Sequence, residues 1–417
     1  MKKKVLIIGN SIKESALAKK MSENCEVYVV PGSDTIKEFA NCIDIREDAT
    51  KDLLEFVLEN GIDLTIPVSD KAINSDIVDL LMSNNQSVFA PTNAAARFCF
   101  DKAEMKKLLY KLRVVTPKFG IFEIQNLVVD YLKNQKIPFV LKTNEQSSSV
   151  VLTSTNSAKG VLDTFFAKKN QKVLVEDYIY GTPFAFYAIT DGYKALPLGS
   201  SIIYKHSLEG DGGQLTSGMG AVSPNYKLSI ENEYYLMDNV VYPTLEYLDK
   251  EGSQYLGIIG VQGVLSDDGK LSVLGLLPFM QNCDCATILS LLDIDLYSLF
   301  DACIVGAFSD DYNEIPTKNI ATASIVLNCK YKENNQNIIN GLDLLEDNTQ
   351  VDFYPSVIKN KYLEFEAQSG AVLNLTTLSS TVSKAIEVAY EEADCISFKG
   401  LSYRKDLCKP LNSRFFD

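Results

Sequence analysis

The sequence predicts an α/β protein of several domains, whose N-terminal part is a doubly wound parallel sheet. Short apolar runs, such as residues 5–8 and 64–68, alternate with helical segments over the first hundred residues. This alternation is typical of parallel strands buried on both faces. The chain has 417 residues, and at about 150 residues per domain this length corresponds to two to four domains. We therefore expect domains at residues 1–100, 101–325 and 326–417.

The first of these domains contains the clearest alternation. Mainly apolar runs predict strands at residues 5–8, 27–30, 64–68 and 88–91. Apolar residues at helical spacing predict helices at residues 11–23, around 53–58 and at 73–82. Pro31-Gly32 and Asn60-Gly61 are turn signals that end a strand and a helix, respectively.

The second domain divides at about residue 190 into two lobes, 116–190 and 191–325. The pattern predicts a helix at 101–112, strands at 139–142, 150–153 and 173–176, and long helices around 229–250 and at 286–305. From about residue 320 strands return, and a helix at 380–392 follows. This mixture predicts a C-terminal α+β domain.

Composition narrows the class of ligand. The chain has 40 basic and 54 acidic residues, a net charge of −14, so a nucleic acid would be repelled over most of the surface. A small basic pocket for a phosphate remains compatible with this charge. No apolar run approaches the ~20 residues of a membrane span, so we expect no membrane association. The nine cysteines are scattered, as reduced thiols of a cytoplasmic protein would be.

The turn after the first strand is the first candidate site. A doubly wound fold places phosphate groups at this point, where Gly9-Asn10-Ser11 leads into a helix. A dinucleotide-binding turn needs further glycines, and Ser11 and Ile12 bring side chains instead. The residues therefore favour an ordinary strand–helix turn over NAD binding.

Further candidates lie along the second domain. Lys142 ends a buried strand, where a lysine can hold a phosphate inside a cleft, or can simply extend into solvent. Lys102 has the same two interpretations. The glycine-rich segment 210–220 either approaches a ligand or forms a mobile hairpin. His206, the one histidine, is more typical of a structural role than of catalysis.

Several motifs together resemble one known family. They are Lys4-Val5-Leu6-Ile7-Ile8-Gly9-Asn10, Phe89-Ala90-Pro91-Thr92, Gly218-Met219-Gly220-Ala221 and Gly400-Leu401-Ser402-Tyr403-Arg404-Lys405-Asp406. In this order and spacing the chain is similar, from end to end, to glycinamide ribonucleotide synthetase (phosphoribosylamine–glycine ligase). That family belongs to the ATP-grasp ligases. The resemblance implies that residues 101–325 form the ATP-grasp region, with 116–190 as the smaller, ATP-binding lobe.

The resemblance also implies an activity and a set of site residues. The family uses ATP to phosphorylate glycine, and the amine of 5-phosphoribosylamine then attacks the acyl phosphate, a step of purine biosynthesis. By resemblance, ATP would be bound by Lys102, Lys142, Glu176 and Ile179. The substrate would be bound by Gly9, Asn10, Gly218, Met219 and Gly220.

The departures from the family pattern concern the metal, the ribose and the phosphates. The metal-binding Glu-x-Asn of the family falls on Gly275 and Leu277, neither of which can bind magnesium, and only Asp284 remains nearby as an oxygen ligand. The ribose-binding Gly-Glu-Glu reads Gly181-Thr182-Pro183. The phosphate loop reads Asn144-Glu145-Gln146-Ser147-Ser148-Ser149. ATP is therefore the cofactor that the resemblance implies, and the family's magnesium site is not intact in this sequence.

Two functional hypotheses follow. One is a diverged ligase that still uses ATP and a small-molecule substrate, with a metal site rebuilt from nearby acids such as Glu209, Asp211, Asp267 and Asp268. The other is a non-catalytic relative that binds a nucleotide, a metabolite or a protein partner. The residues leave both open.

Overall fold

The N-terminal sheet has four parallel strands. The computed structural model describes residues 2–144, 149–168, 171–330 and 337–409. The strands are β1 (Lys4–Gly9), β2 (Glu26–Pro31), β3 (Asn41–Cys42) and β4 (Leu64–Pro67). They lie in the order β3-β2-β1-β4, and β1 pairs in parallel with both β2 and β4. The doubly wound arrangement predicted for this part is confirmed, and it brings the carboxyl ends of β1 and β4 side by side.

Helices α1 (Ile12–Ser22) and α2 (Thr50–Asn60) connect these strands, and α3 (Asp70–Ile73) and α4 (Ile77–Ser83) follow β4. The single helix predicted at 73–82 is wrong, because Ser75 interrupts it. The Ser75 hydroxyl donates to the Ala72 carbonyl at 2.7 Å and accepts from the Ile77 N–H at 3.2 Å, and so replaces helical hydrogen bonds. The strand predicted at 88–91 is reduced to one parallel bridge between Val88 and Thr65.

The smaller lobe is an antiparallel sheet with two helices. Helices α5 (Asn93–Phe100) and α6 (Lys102–Lys111) precede it. The lobe contains β5 (Phe119–Phe122), α7 (Gln125–Leu132), β6 (Phe139–Lys142), β7 (Val150–Leu152), α8 (Ala158–Phe165) and β8 (Val173–Asp177). The strand order is β5-β8-β6-β7. The three strands predicted here are confirmed.

A nine-stranded sheet forms the larger lobe and continues into the C-terminal part. Its strands are β9 (Thr182–Thr190), β10 (Ala195–His206), β11 (Leu215–Ser223), β12 (Gly257–Leu265), β13 (Leu271–Leu277), β14 (Ala321–Cys329), β15 (Gln350–Phe353), β18 (Gly370–Ser379) and β19 (Leu401–Ser402). Two short strands, β16 (Ile358–Lys359) and β17 (Phe365–Glu366), pair with each other. In the large sheet β14 pairs with both β11 and β18. The boundary predicted between residues 325 and 326 therefore falls inside a central strand.

The helices of this region are α9 (Ile230–Leu236), α10 (Tyr242–Lys250), α11 (Asn282–Leu291), α12 (Leu296–Val305), α13 (Phe308–Asp311) and α14 (Val382–Cys395). A π-helical turn joins α9 to α10, so residues 230–250 are helical throughout, as predicted. The single helix predicted at 286–305 is wrong. The chain becomes extended at Leu292, and the Asp295 carboxylate caps α12 by accepting from the Ser298 N–H at 2.9 Å.

Packing joins the N-terminal sheet to the larger lobe. Phe89 and Phe300 stack with ring centroids 4.0 Å apart, and α1 and α11 belong to the same buried core. The parallel sheet is therefore held against the larger lobe. Within the described residues no helix has the length and apolar character needed to cross a bilayer.

Candidate functional site

A cleft of about 620 Å³ lies where the parallel sheet and the two lobes meet. Segments that are far apart in sequence line it. They include Asn10 after β1, Lys142 at the end of β6, Ile179 after β8, Ser217 in β11 and Asn282 at the start of α11. The carboxyl end of a parallel strand is the usual position of a ligand in open α/β sheets. The cleft is accordingly the candidate functional site.

Five residues that were predicted from the sequence line this cleft together, namely Asn10, Lys102, Lys142, Glu176 and Ile179. Lys102 begins α6, and its ammonium donates to the Thr143 carbonyl beside the strand that ends at Lys142. Of the family's phosphate loop, Ser149 lines the cleft, and residues 145–148 lie outside the described residues. Gly181 and Pro183 line it where the family's ribose carboxylate is missing.

The predicted glycines support the cleft from behind. Gly9 has a φ of +140°, and a Cβ there would collide with the Glu14 carboxylate. In β11 a Cβ on Gly220 would lie 2.6 Å from the Ser324 carbonyl of β14, so glycine permits the two strands to pair closely. The wall of the cleft at this point is formed by Leu215, Thr216 and Ser217 instead. Substrate contact by Gly9, Gly218, Met219 and Gly220 stays a prediction.

A buried cluster of charged side chains lies beneath the part of the cleft where the resemblance predicts ATP binding. The Glu176 carboxylate is 1% exposed and forms ion pairs with Lys142 and, at 2.6 Å, with Lys106, whose side chain is fully buried. Burial would raise the pKa of Glu176, but Lys142 and Lys106 outweigh it and hold this pKa below its ordinary value. The cluster fixes the ammonium of Lys142 at the cleft wall.

The Lys106 side chain gives this cluster a pH dependence. Burial lowers the pKa of Lys106 to about 8, against the opposing attraction of Glu176. Between about pH 8 and 10.5 the unfolded chain therefore holds a proton on Lys106 that the folded protein has lost.

We accordingly expect the contribution of Lys106 to the free energy of unfolding to rise with pH across this interval, by at most about 1.4 kcal/mol per pH unit. Below pH 8 this contribution should be constant. Urea unfolding of the wild type and of Lys106→Met at pH 7.5, 8.5 and 9.5 measures it as their difference. A difference that is flat or falls across these values would contradict the assignment.

The turn after β1 is tied to α11. The Ser11 N–H donates to the Glu14 carboxylate at 2.8 Å, and the Ser11 hydroxyl donates to Asn282 Oδ1 at 3.0 Å. This is a capping box that also reaches across to the larger lobe. Burial raises the pKa of Glu14. The arrangement orients Asn10 and Ser11 at the edge of the cleft.

Lys205 lies in the wall of the cleft, and the sequence analysis did not single it out. No described residue forms a hydrogen bond or ion pair with its ammonium. Burial lowers the pKa of Lys205, Lys142 lowers it further, and Asp284 opposes both. Asp284 is itself buried and accepts from the Tyr187 hydroxyl at 2.6 Å. Burial raises the pKa of Asp284.

The C-terminal motif holds another part of the wall. Arg404 is 1% exposed and pairs with Asp211 at 2.9 Å and with Asp406 at 2.6 Å. It also donates to the carbonyl of His206, which lines the cleft with Asp211. Burial lowers the pKa of His206. The contact of this motif with the segment 209–211 joins residues 193 positions apart, so it arises only in the folded chain.

The residues at the family's metal positions do not fit magnesium. Gly275 and Leu277 lie in β13, opposite Gln262 and Gly260 of β12. Among the described residues no group of three or more histidine, cysteine, aspartate or glutamate side chains could hold a metal ion. Three of the four acids considered for a rebuilt site already have partners. Asp211 pairs with Arg404, Glu209 accepts from the Lys405 N–H, and Asp268 pairs with Lys270.

A parallel N-terminal sheet, followed by two lobes that enclose a lysine-lined cleft, defines the class of ATP-grasp proteins. Family models agree with this class. The N domain of phosphoribosylglycinamide synthetase matches residues 3–98, and the ATP-grasp (A) domain of the same synthetase matches residues 100–279. These matches together span well over half of the chain, which therefore belongs to the phosphoribosylglycinamide synthetase family.

Curated relatives match the chain over nearly its whole length. The phosphoribosylamine–glycine ligase of Fusobacterium nucleatum is 28% identical over 421 residues, which cover 97% of this chain and 98% of the relative. The enzyme of the same name from Caldanaerobacter subterraneus is 28% identical over 418 residues, which cover 97% and 99%. The resemblance inferred from the motifs is thus confirmed over the full chain.

Solved structures share the fold. The phosphoribosylamine–glycine ligase of Thermotoga maritima has a TM-score of 0.79 at 20% identity and covers 97% of this chain and 99% of its own. The biotin carboxylase domain of the Hydrogenobacter thermophilus 2-oxoglutarate carboxylase, solved with MgADP, ADP and bicarbonate, has a TM-score of 0.70 at 14% identity. It covers 96% of this chain and 92% of its own. The predicted fold class is confirmed.

Proposed function

We propose that the protein binds ATP in this cleft and that it no longer carries out the glycine–phosphoribosylamine ligation efficiently. The observation that carries the first part is the convergence of Lys102, Lys142, Glu176 and Ile179 on one cleft. Two lysines supply positive charge for phosphates. The segment after β8 supplies backbone groups for an adenine, and the Glu176 side chain keeps Lys142 in place.

The shape and polarity of this end also suit a nucleotide. Val140, Val151 and Leu274 line it and offer apolar surface for the faces of a purine ring. The lysines stand beyond this apolar surface, with Lys142 at the end of β6 and Lys102 at the start of α6. An apolar floor with a few convergent charges is the usual composition of a small-molecule site.

The second part of the proposal rests on what the cleft lacks. Formation of an acyl phosphate develops negative charge on the phosphoryl group, and removing one group that stabilises such charge typically costs about 10²–10³ in rate. Here the family's metal positions are Gly275 and Leu277, and the ribose position reads Thr182-Pro183. We therefore propose that little of the parent reaction remains. A protein that binds the nucleotide in this way would act as a nucleotide sensor rather than as a catalyst.

A diverged ligase is the second candidate, and one observation favours it. The cleft is continuous from the lysines to Asn10, Thr216 and Ser217, so a second small molecule could lie beside the phosphates. In this case the amine acceptor has changed along with the substrate-binding turn. For either candidate we propose a cytoplasmic protein with small-molecule ligands, the domain division given by the sequence, and a protein partner only for the non-catalytic form.

The first test is calorimetric titration with ATP of the wild type and of Lys142→Met. We expect the wild type to bind and the variant to bind about 10- to 100-fold more weakly, as for the loss of one charged hydrogen bond of about 1.5–3 kcal/mol. Lys133→Met removes an exposed lysine from the same lobe and is the control. Absence of binding by the wild type, or equal affinities in all three proteins, would refute ATP binding at this site.

The second test is an assay of phosphate release with ATP, glycine and freshly prepared phosphoribosylamine, next to an intact relative such as the Fusobacterium nucleatum ligase. We expect glycine-dependent release at least 10³-fold below that of the relative. Comparable rates would show that parent activity survives. A screen of other amines under the same conditions then addresses the diverged ligase.

A further inference from the structure

We infer that the ligand taken by this cleft is the metal-free nucleotide polyanion, and that Lys205 supplies positive charge where relatives use a divalent cation. The inference rests on the proposed nucleotide binding and names the ionic form that is bound. It follows from three features of the cleft. These are the partners that its acids already have, the residues at the family's metal positions, and the lack of a hydrogen bond or ion pair between Lys205 and any described residue.

The acids of the cleft already have partners. Six acidic side chains line it, and each accepts from a cation or another donor within the described chain. Glu14 accepts from Ser11, Glu47 from Lys71, Asp70 from Lys13, Glu176 from Lys106 and Lys142, Asp177 from Gln135, and Asp211 from Arg404. A hard cation would have to compete with these partners for the carboxylate oxygens.

The family's metal positions offer space without oxygen ligands. A Cβ on Gly275 would meet only the Met105 methyl group, at 3.6 Å. Leu277 packs against the apolar core between the parallel sheet and the larger lobe. The side of the cleft that would hold a cation therefore presents no carboxylate or amide from β13.

Lys205 brings a further positive charge to the cleft. Its ammonium lines the same cleft as Lys102 and Lys142 and has no hydrogen bond or ion pair with any described residue. Asp284, whose charge acts on Lys205, is buried and already accepts from the Tyr187 hydroxyl. A partly buried ammonium without a partner is costly, and a polyanion beside it would remove that cost. Three lysines around one phosphate chain favour the more highly charged free nucleotide over its magnesium complex.

The test is titration of the wild type with ATP in EDTA and in excess MgCl₂ at equal ionic strength. We expect ATP to bind at least tenfold more tightly in EDTA, because magnesium neutralises two of its charges and brings a hydration shell. Equal affinities, or tighter binding with magnesium, would overturn the inference and leave the proposed ATP binding intact. Absence of binding in both buffers would overturn the proposed function and this inference with it.

Variants assign the effect to Lys205. Lys205→Met should weaken binding of free ATP at least tenfold and remove the difference between the two buffers. Lys205→Arg keeps the charge and should preserve the preference for EDTA, while Lys250→Met, on the exposed face of α10, should change neither. Thermal unfolding establishes that each variant is folded. If Lys205→Met is folded and retains the wild-type preference, Lys205 is not the group responsible.

Restoring the family's ligands provides an independent check. Gly275→Glu with Leu277→Asn places two oxygen-bearing side chains where relatives bind the metal, and a Cβ on residue 275 would be in ordinary contact with the Met105 methyl group, at 3.6 Å. This double variant should bind ATP more tightly in magnesium than in EDTA, the reverse of the wild type. A folded double variant that still prefers EDTA would count against the inference.

Discussion

Glu176→Gln is expected to lower the free energy of unfolding by about 3–5 kcal/mol. The substitution keeps the shape of the side chain but removes the negative charge that lies between two lysines. Lys106 is fully buried, so its ammonium would lose its charged partner in a region that water does not reach. Breaking a buried ion pair by removing one partner typically costs this amount. The resulting repulsion between Lys106 and Lys142 adds to the effect.

Urea unfolding at pH 7 measures this change. Glu104→Gln is the matched control, because Glu104 pairs with lysines on an exposed surface and its removal should change stability by about 0.5 kcal/mol or less. A bound polyanion would also supply the lost charge, so ATP should raise the unfolding midpoint of Glu176→Gln more than that of the wild type. Equal costs for the two substitutions would show that the cluster does not hold the smaller lobe together.

Arg404→Met should be nearly as damaging, at about 3 kcal/mol. The guanidinium is 1% exposed and forms ion pairs with Asp211 and Asp406, so methionine leaves two carboxylates without their cation. Both carboxylates keep a small exposed fraction, and water can partly replace the arginine. The cost is therefore expected at the lower end of the range for buried pairs.

The comparison for this variant is Lys405→Met, which removes the next cation in the chain from an exposed position. Urea unfolding should separate the two variants by at least about 2 kcal/mol. Because Arg404 also binds the carbonyl of His206, its loss should make the backbone amides of residues 206–211 exchange hydrogen faster than in Lys405→Met. If Arg404→Met is destabilised but the amides of residues 206–211 exchange at the rate seen in Lys405→Met, Arg404 contributes to stability without supporting this part of the cleft.

The sequence was most informative where one local pattern determines both structure and position. The apolar run 5–8 forms β1, and Lys142, which ends the apolar run 137–141, lies in the wall of the cleft. The motif spacing placed Lys102, Glu176 and Ile179 in the same cleft. The family resemblance predicted these three positions as site residues, which charge and periodicity alone could not have done.

The features that were not predicted depend on neighbours distant in sequence. Lys106 is one turn beyond Lys102 on α6, yet its role follows from Glu176, which is 70 positions away and approaches only in the folded chain. Lys205 follows an apolar stretch and has no distinguishing local pattern. The helix break before Asp295 was missed for another reason. The apolar pattern continues through Leu292 and predicts one unbroken helix. A single aspartate that can cap a helix is a weaker signal in the sequence than this apolar pattern.

The position of β14 affects how this protein could exchange parts with its relatives during evolution. This strand is hydrogen-bonded to β11 on one side and to β18 on the other. Recombination at residue 325 would join half of a strand from one parent to half from another, in the middle of nine paired strands. A mismatch there would leave the edge of β11 open to other chains. The C-terminal part is therefore expected to be inherited with the larger lobe as one unit.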